Sequence, residues 1–135
     1  MVVNHLPFFS CLYAHPPSQR LRGVKQLGVC SHVFPCAVHD RFAHSLGVSH
    51  LAGGWAHHFQ THQPQLSISD ADVLCVAIAG LIHDLGHGPY SHFWEHEFMS
   101  AFTSNFDHEA LSAALFDRLL DRNQIDVSPW LDPVC

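Results

Sequence analysis

The chain has 135 residues, 47% of them hydrophobic and 13% charged, with a formal net charge of −6. That length holds one domain at most, and so apolar a composition excludes a disordered chain. The acidic balance excludes the broad basic surface of a duplex-binding protein, so a nucleic-acid partner stays possible but without support from the charge.

Four of the six basic residues, Arg20, Arg22, Lys25 and Arg41, nonetheless fall in one early segment, which leaves room for a local phosphate-binding wall. The five cysteines (Cys11, Cys30, Cys36, Cys75, Cys135) are odd in number and show no C-x-x-C spacing. This argues against a disulfide framework and a cysteine-rich zinc site, and fits reduced thiols in an intracellular protein of the nucleus or cytoplasm. No run of 18 apolar residues suggests a membrane span, and the N-terminal stretch lacks the positive leader of a signal peptide. Histidine is the anomaly, with 14 residues. His5, His15, His57, His58 and His62 have no helpful neighbours and read as surface positions.

In chain order, residues 1–18 read as irregular, because Pro7, Pro16 and Pro17 break any helix. A short helical stretch from Ser18 carries Leu21, Val24 and Leu27, and Gly28 is placed to end it. Residues 29–39 contain Pro35 and read as a loop or short extended piece. Asp40 is an N-cap for a helix over 41–60, with Leu51, Trp55 and Phe59 as its apolar stripe and His44 near its start. Ser69 and Asp72 form a capping-box variant for a helix over 70–84, apolar nearly all round and so expected to be buried by its neighbours.

That helix ends in Leu81-Ile82-His83-Asp84-Leu85-Gly86-His87-Gly88-Pro89-Tyr90-Ser91-His92. Adjacent His83 and Asp84 at the inner end of a buried helix are costly unless paired or bound to a metal. Imidazole and carboxylate together suit Fe, Zn, Mn or Mg without a thiol. Pro89 fits the first turn of a third helix, about 89–100, on which His92, Glu95, His96 and Met99 share a face. His92 with Glu95 makes a possible acid/base pair. Asp107 caps a fourth helix, about 108–122, with Leu111, Ala114, Leu115 and Leu119 as its stripe, and His108 lies at its N-terminal end, a favourable place for phosphate. Residues 123–135 show no pattern.

A separate upstream histidine and an adjacent His-Asp in a helical context resemble the HD superfamily of metal-dependent phosphohydrolases. The segments Gln19-Arg20-Leu21-Arg22, Lys25-Gln26-Leu27-Gly28, Arg41-Phe42-x-His44-Ser45-Leu46-Gly47-Val48 and His83-Asp84-Leu85-Gly86-His87-Gly88-Pro89-x-Ser91-His92 narrow the likeness. They resemble the deoxynucleoside triphosphate triphosphohydrolases that carry a sterile-alpha-motif and an HD domain. The resemblance covers residues 19–122 and implies an all-α fold: a truncated HD-domain helical bundle, flanked by an irregular N-terminal segment (1–18) and tail (123–135).

The same resemblance implies metal-dependent cleavage of deoxynucleoside triphosphates to deoxynucleoside and triphosphate. His44, His83 and Asp84 would be metal ligands for Zn, Fe or Mn, with Mg admitted on substrate phosphates. Arg41, His87 and His108 would face the phosphates, and His92 with Glu95 would be catalytic alongside His87. Gln26 would meet the sugar 3′-hydroxyl and Leu27 would crowd out a ribose 2′-hydroxyl. Arg22 would serve a regulatory nucleotide at a subunit interface, so a homo-oligomer is expected of the full-length family.

The chain departs from the pattern in four ways. Glu95 stands where the family has Asp, Ala43 replaces a Glu, Ala14 holds the position of a guanine-reading Asp, and the family's fourth ligand, a later Asp, has no counterpart in residues 123–135. A catalytically incomplete fragment that binds metal or nucleotide, or joins other subunits, is therefore a second reading. An HD phosphodiesterase acting on another nucleotide is a third.

Overall fold

Prolines start helices at the N-terminal end of this chain rather than stopping them. In the computed structural model, which describes residues 6–103 and 106–128, Pro7 lies in the first turn of α1 (Leu6–Ala14) and Pro16-Pro17 open α2 (Pro16–Arg20). Proline is tolerated there because a first-turn N–H has no intrahelical acceptor to lose. The expectation of an irregular segment over 1–18 is thus corrected for residues 6–18; residues 1–5 lie outside the described residues. Phe8 and Leu12, one turn apart on α1, are both buried in the core.

A 3₁₀ turn at Leu21–Gly23 follows, and Gly28 takes a left-handed φ of 56°, ending the short segment where expected. Leu21 and Val24 are buried, while Leu27 is exposed. Residues 29–39 form a loop with one 3₁₀ turn at Cys30–His32. Lys25 and Asp40 form an isolated antiparallel bridge, and there is no β-strand among the described residues.

The frame of the molecule is α3 (Arg41–His62) against α4 (Asp70–Ile82). The caps are those the sequence indicates: the Asp40 side chain accepts the Ala43 N–H at 2.9 Å, and Ser69 and Asp72 complete a reciprocal capping box. The helices meet through small residues. Ser49 Oγ donates to the Ala77 carbonyl at 2.7 Å, and a Cβ on Gly80 would stand 3.0 Å from the Ser49 Cα. A Cβ on Gly53 would likewise meet the Ala77 methyl. The expected stripe of Leu51, Trp55 and Phe59 is therefore not the packed face: all three are exposed, on the side of α3 turned away from Ser45, Ser49 and Gly53. Helix α4 is also less enclosed than its composition suggests, since Asp72, Val76 and Ala79 lie on the surface.

The expected third helix over 89–100 is a different object. Tyr90 and Ser91 both have positive φ (63° and 60°), so Pro89 belongs to a turn and helical structure begins only after Ser91. It widens to a π-helical turn at Trp94–Phe98 and ends in a 3₁₀ turn at Met99–Ala101. Helix α5 (His108–Asn123) is capped by Asp107, which accepts the Glu109 N–H at 2.8 Å. Of its expected stripe Leu119 is buried and Leu115 half-buried, while Leu111 and Ala114 are exposed. Residues 124–128 carry no helix, and 129–135 lie outside the described residues.

Two apolar clusters result. Phe8, Leu12, Leu74, Ile78, Leu81 and Leu119 join α1, α4 and α5. Leu21, Phe42 and Leu85 form a smaller group beneath the α4 terminus. Half-buried Ile82 and Phe116 touch both, so the turn after α4 stands on packed hydrocarbon.

Candidate metal and proton-transfer site

The α4 helix ends at Ile82, and four turn residues, His83–Gly86, follow. Leaving regular helical geometry lets the adjacent side chains of His83 and Asp84 aim into one place. The His83 Nε2 stands 3.3 Å from Asp84 Oδ1, and His44 Nε2, from α3, stands 3.7 Å from Asp84 Oδ2. One ligand atom from each of His44, His83 and Asp84 lies within 4.8 Å of the others.

Each member is in the form a cation requires. His83 Nδ1 lies 2.8 Å from the Gly80 carbonyl, an acceptor, so Nδ1 carries the proton and the Nε2 lone pair faces the site. Burial pushes the His44 imidazole toward its neutral form, against the pull of Asp84. Burial by itself would raise Asp84, but the His87 and Arg41 side chains and the charge of His83 outweigh it and hold this carboxyl well below the usual carboxylate range.

Arg41 is buried rather than displayed. Its Nη1 donates to Asp84 Oδ2 at 2.8 Å and its Nε to Ser91 Oγ at 3.0 Å. Ser91 in turn donates to the Lys25 carbonyl at 2.6 Å, which ties the segment carrying Gln26 and Leu27 to the site turn. The positive φ at Tyr90 and Ser91 is what swings this hydroxyl inward. Only Nη2 of the guanidinium has no partner among the described residues. The Gln26 side-chain Oε1 is also buried without a partner among them. Arg22 lies apart: its guanidinium sits 3.8 Å over the Phe42 ring and bonds Gln19.

A second group adjoins the first. Glu95 Oε2 lies 2.8 Å from His108 Nδ1 and 3.5 Å from His92 Nδ1, and Glu95 Oε1 accepts the His108 backbone N–H at 3.3 Å. Burial would raise Glu95, but the bonds from His108 and His92 hold it down at about 2. The His87 ring stacks on His108 at 3.9 Å and meets His92 edge-on at 4.7 Å. Its Nε2 stands 3.3 Å from Asp84 Oδ1, so His87 joins the two groups. Burial lowers the His87 pKa, against the pull of Asp84. His92 is exposed, and the site opens on that side.

Three residues support the site in roles the sequence reading did not give them. Arg20 donates to the Leu85 carbonyl at 2.6 Å and the His87 carbonyl at 2.8 Å, pinning the site turn from α2. Ser112 Oγ accepts the Gly86 N–H at 2.8 Å and lies 2.6 Å from the His83 carbonyl, fastening α5 to the same turn. Ser91 is the third. Arg20 had a signal in its motif segment; Ser112, a lone serine on a helix, had none. Gly86 is required because a Cβ would collide with the His108 carbonyl oxygen.

A fold of packed helices with a histidine from one helix facing a His-Asp pair at the end of the next defines a class. The HD domain model matches residues 41–133, and the chain belongs to the HD domain family. That membership implies a divalent cation, and the imidazole nitrogens of His44 and His83 with the ionised carboxylate of Asp84 fit one. Among relatives, the chain is 50% identical over 112 residues to the deoxynucleoside triphosphate triphosphohydrolase SAMHD1 of Homo sapiens, covering 82% of this chain and 18% of the relative. It is 49% identical over 122 residues to that of Xenopus laevis (89% and 19%), and 46% identical over 109 residues to the Dictyostelium discoideum homolog (80% and 21%). The chain thus spans about a fifth of the length of the curated relatives it matches. No helix among the described residues is long and apolar enough to cross a membrane.

Proposed function

We propose that this chain carries the cation-binding and proton-transfer machinery of a deoxynucleoside triphosphate triphosphohydrolase, cleaving the substrate to deoxynucleoside and triphosphate. The observation that carries the reading is the convergence of His44, His83 and Asp84 within 4.8 Å, in a chain that is half identical to relatives named for this activity.

His44, His83 and Asp84 would hold the cation, which supplies Lewis-acid stabilisation of phosphate charge and a water of lowered pKa. The chain's own groups do the rest. Water adds at the α-phosphorus, the bond to the sugar 5′-oxygen breaks, and that oxygen takes a proton. His92, exposed at the mouth with Glu95 behind it, is the donor in this scheme. In this reading His108, with the buried His87 ring stacked on it, and Nη2 of Arg41, buried and without a partner among the described residues, would donate to phosphate oxygens. Asp84 fixes Arg41, so this guanidinium acts as a positioned wall rather than a mobile clamp. Gln26 would meet the sugar 3′-hydroxyl, Leu27 would exclude a 2′-hydroxyl, and Arg22 would serve a regulatory nucleotide between subunits.

A second reading has a specific observation behind it: the cation group supplies three protein ligands among the described residues. Three suffice for binding, as in catalytic zinc sites, so a chain that binds metal and nucleotide without turnover fits as well. One experiment separates the two. The purified chain with Mn(II) or Fe(II) and dGTP should release triphosphate, and His83→Ala should abolish it. Stoichiometric metal without triphosphate selects the second reading, and full activity in His83→Ala overturns the first.

A further inference from the structure

The second histidine group has the makings of a cation site of its own. One ligand atom each from His87, His92, Glu95 and His108 lies within 4.8 Å of the other three. A tetrahedral zinc or cobalt ion needs ligand atoms about 3.4 Å apart, given metal–nitrogen bonds of about 2.05 Å. Two contacts already bracket that value, Glu95 Oε2 to His108 Nδ1 at 2.8 Å and to His92 Nδ1 at 3.5 Å. Rotation of imidazole rings supplies the remaining contraction.

Proton sharing explains the Glu95–His108 bond, but not the fourth member. His87 is 1% exposed; its Nε2 faces Asp84 Oδ1 at 3.3 Å, but neither ring nitrogen has a hydrogen bond of regular geometry among the described residues. A buried imidazole left this way carries a desolvation cost that a ligand would relieve. From these contacts we propose that His87, His92, Glu95 and His108 form a second transition-metal site, taking a borderline divalent ion such as zinc or cobalt, separate from the ion of the His83-Asp84 site.

The charges suit an ion of moderate affinity. Glu95 offsets one of its two charges, while the positive end of α5, where His108 is the first residue, opposes it. Three imidazoles select zinc or cobalt over magnesium, a hard ion that prefers oxygen. Entry is from the His92 side, which is exposed. An ion there occupies the lone pairs that proton transfer needs, so the second equivalent would inhibit hydrolysis. The site itself does not depend on the hydrolase reading, because binding is measured without substrate.

The test is titration of the full chain with cobalt(II) alone, read by calorimetry and by the visible d–d bands of four-coordinate cobalt. It is run in a His58→Gln/His62→Gln background, because those two rings stack at 4.0 Å on the exposed end of α3 and would bind an ion themselves. Two equivalents are expected, with His83→Ala retaining the second. His92→Ala, which removes an exposed ligand and leaves the core intact, should weaken the second by about 10- to 100-fold or more, and Glu95→Gln should do the same. A single equivalent in a chain of unchanged helix content overturns the proposal. So does a second equivalent that survives both His92→Ala and Glu95→Gln unweakened.

Discussion

Arg41 Nη1 is held 2.8 Å from Asp84 Oδ2, with both side chains almost completely buried, while Oδ1 of the same carboxylate faces His83 and His87 at 3.3 Å each. Oδ2 is shared by Arg41 and, at 3.7 Å, the His44 imidazole, and Oδ1 is turned to the other two imidazoles. Arg41→Met would leave Asp84 buried without its cation, which costs about 3–5 kcal/mol. Chemical denaturation of the metal-free variant should show that loss, and added Mn(II) should recover part of it by replacing the missing charge.

Metal should stabilise the fold by linkage. An ion at 100 times its Kd adds about 2.7 kcal/mol, seen as a rise in Tm. His83→Ala and Asp84→Asn should each remove the rise belonging to the His83-Asp84 site. An unchanged metal-induced rise in both would place that ion elsewhere.

Ser112→Ala leaves the buried Gly86 N–H without its acceptor, a cost of about 1–3 kcal/mol. The same change frees α5 from the site turn. Urea unfolding should report the first effect, and faster amide exchange at Gly86 and His87 the second.

Gly86→Ala should be worse than an ordinary glycine replacement, because the added methyl meets the His108 backbone and Ser112 N rather than a yielding side chain. Strain of about 1–3 kcal/mol is expected. The variant should lose the approach of His108 to Glu95, visible as a change in the His108 ring resonances.

Acid titration in metal-free buffer tests the Glu95 contacts. Its carboxyl is lowered from 4.5 to about 2 by folding, so its contribution is fully present above pH 4.5 and is lost as pH falls toward 2. Glu95→Gln should flatten the stability-versus-pH curve in that window. An identical curve in the variant would mean the His108 and His92 bonds do not persist in solution.

What the sequence determined by itself is what is decided within a turn or two of chain. Asp40, Ser69 with Asp72, and Asp107 each mark a helix start, because a cap is a contact between neighbours two or three residues apart. The end of α4 was legible to within two residues, at Ile82 rather than the expected 84, since glycines and a proline follow at once. Only the tertiary structure decided which faces are buried. Gly53, Ser49 and Gly80 let α3 and α4 approach so closely that the bulky stripe of Leu51, Trp55 and Phe59 lies outside. It also decided the pairing of Arg41 with Asp84, 43 residues apart, and the left-handed turn at Tyr90-Ser91 that anchors it. Local rules place a side chain on a helix; the distance between helices, fixed by the small residues of both, decides what that side chain meets.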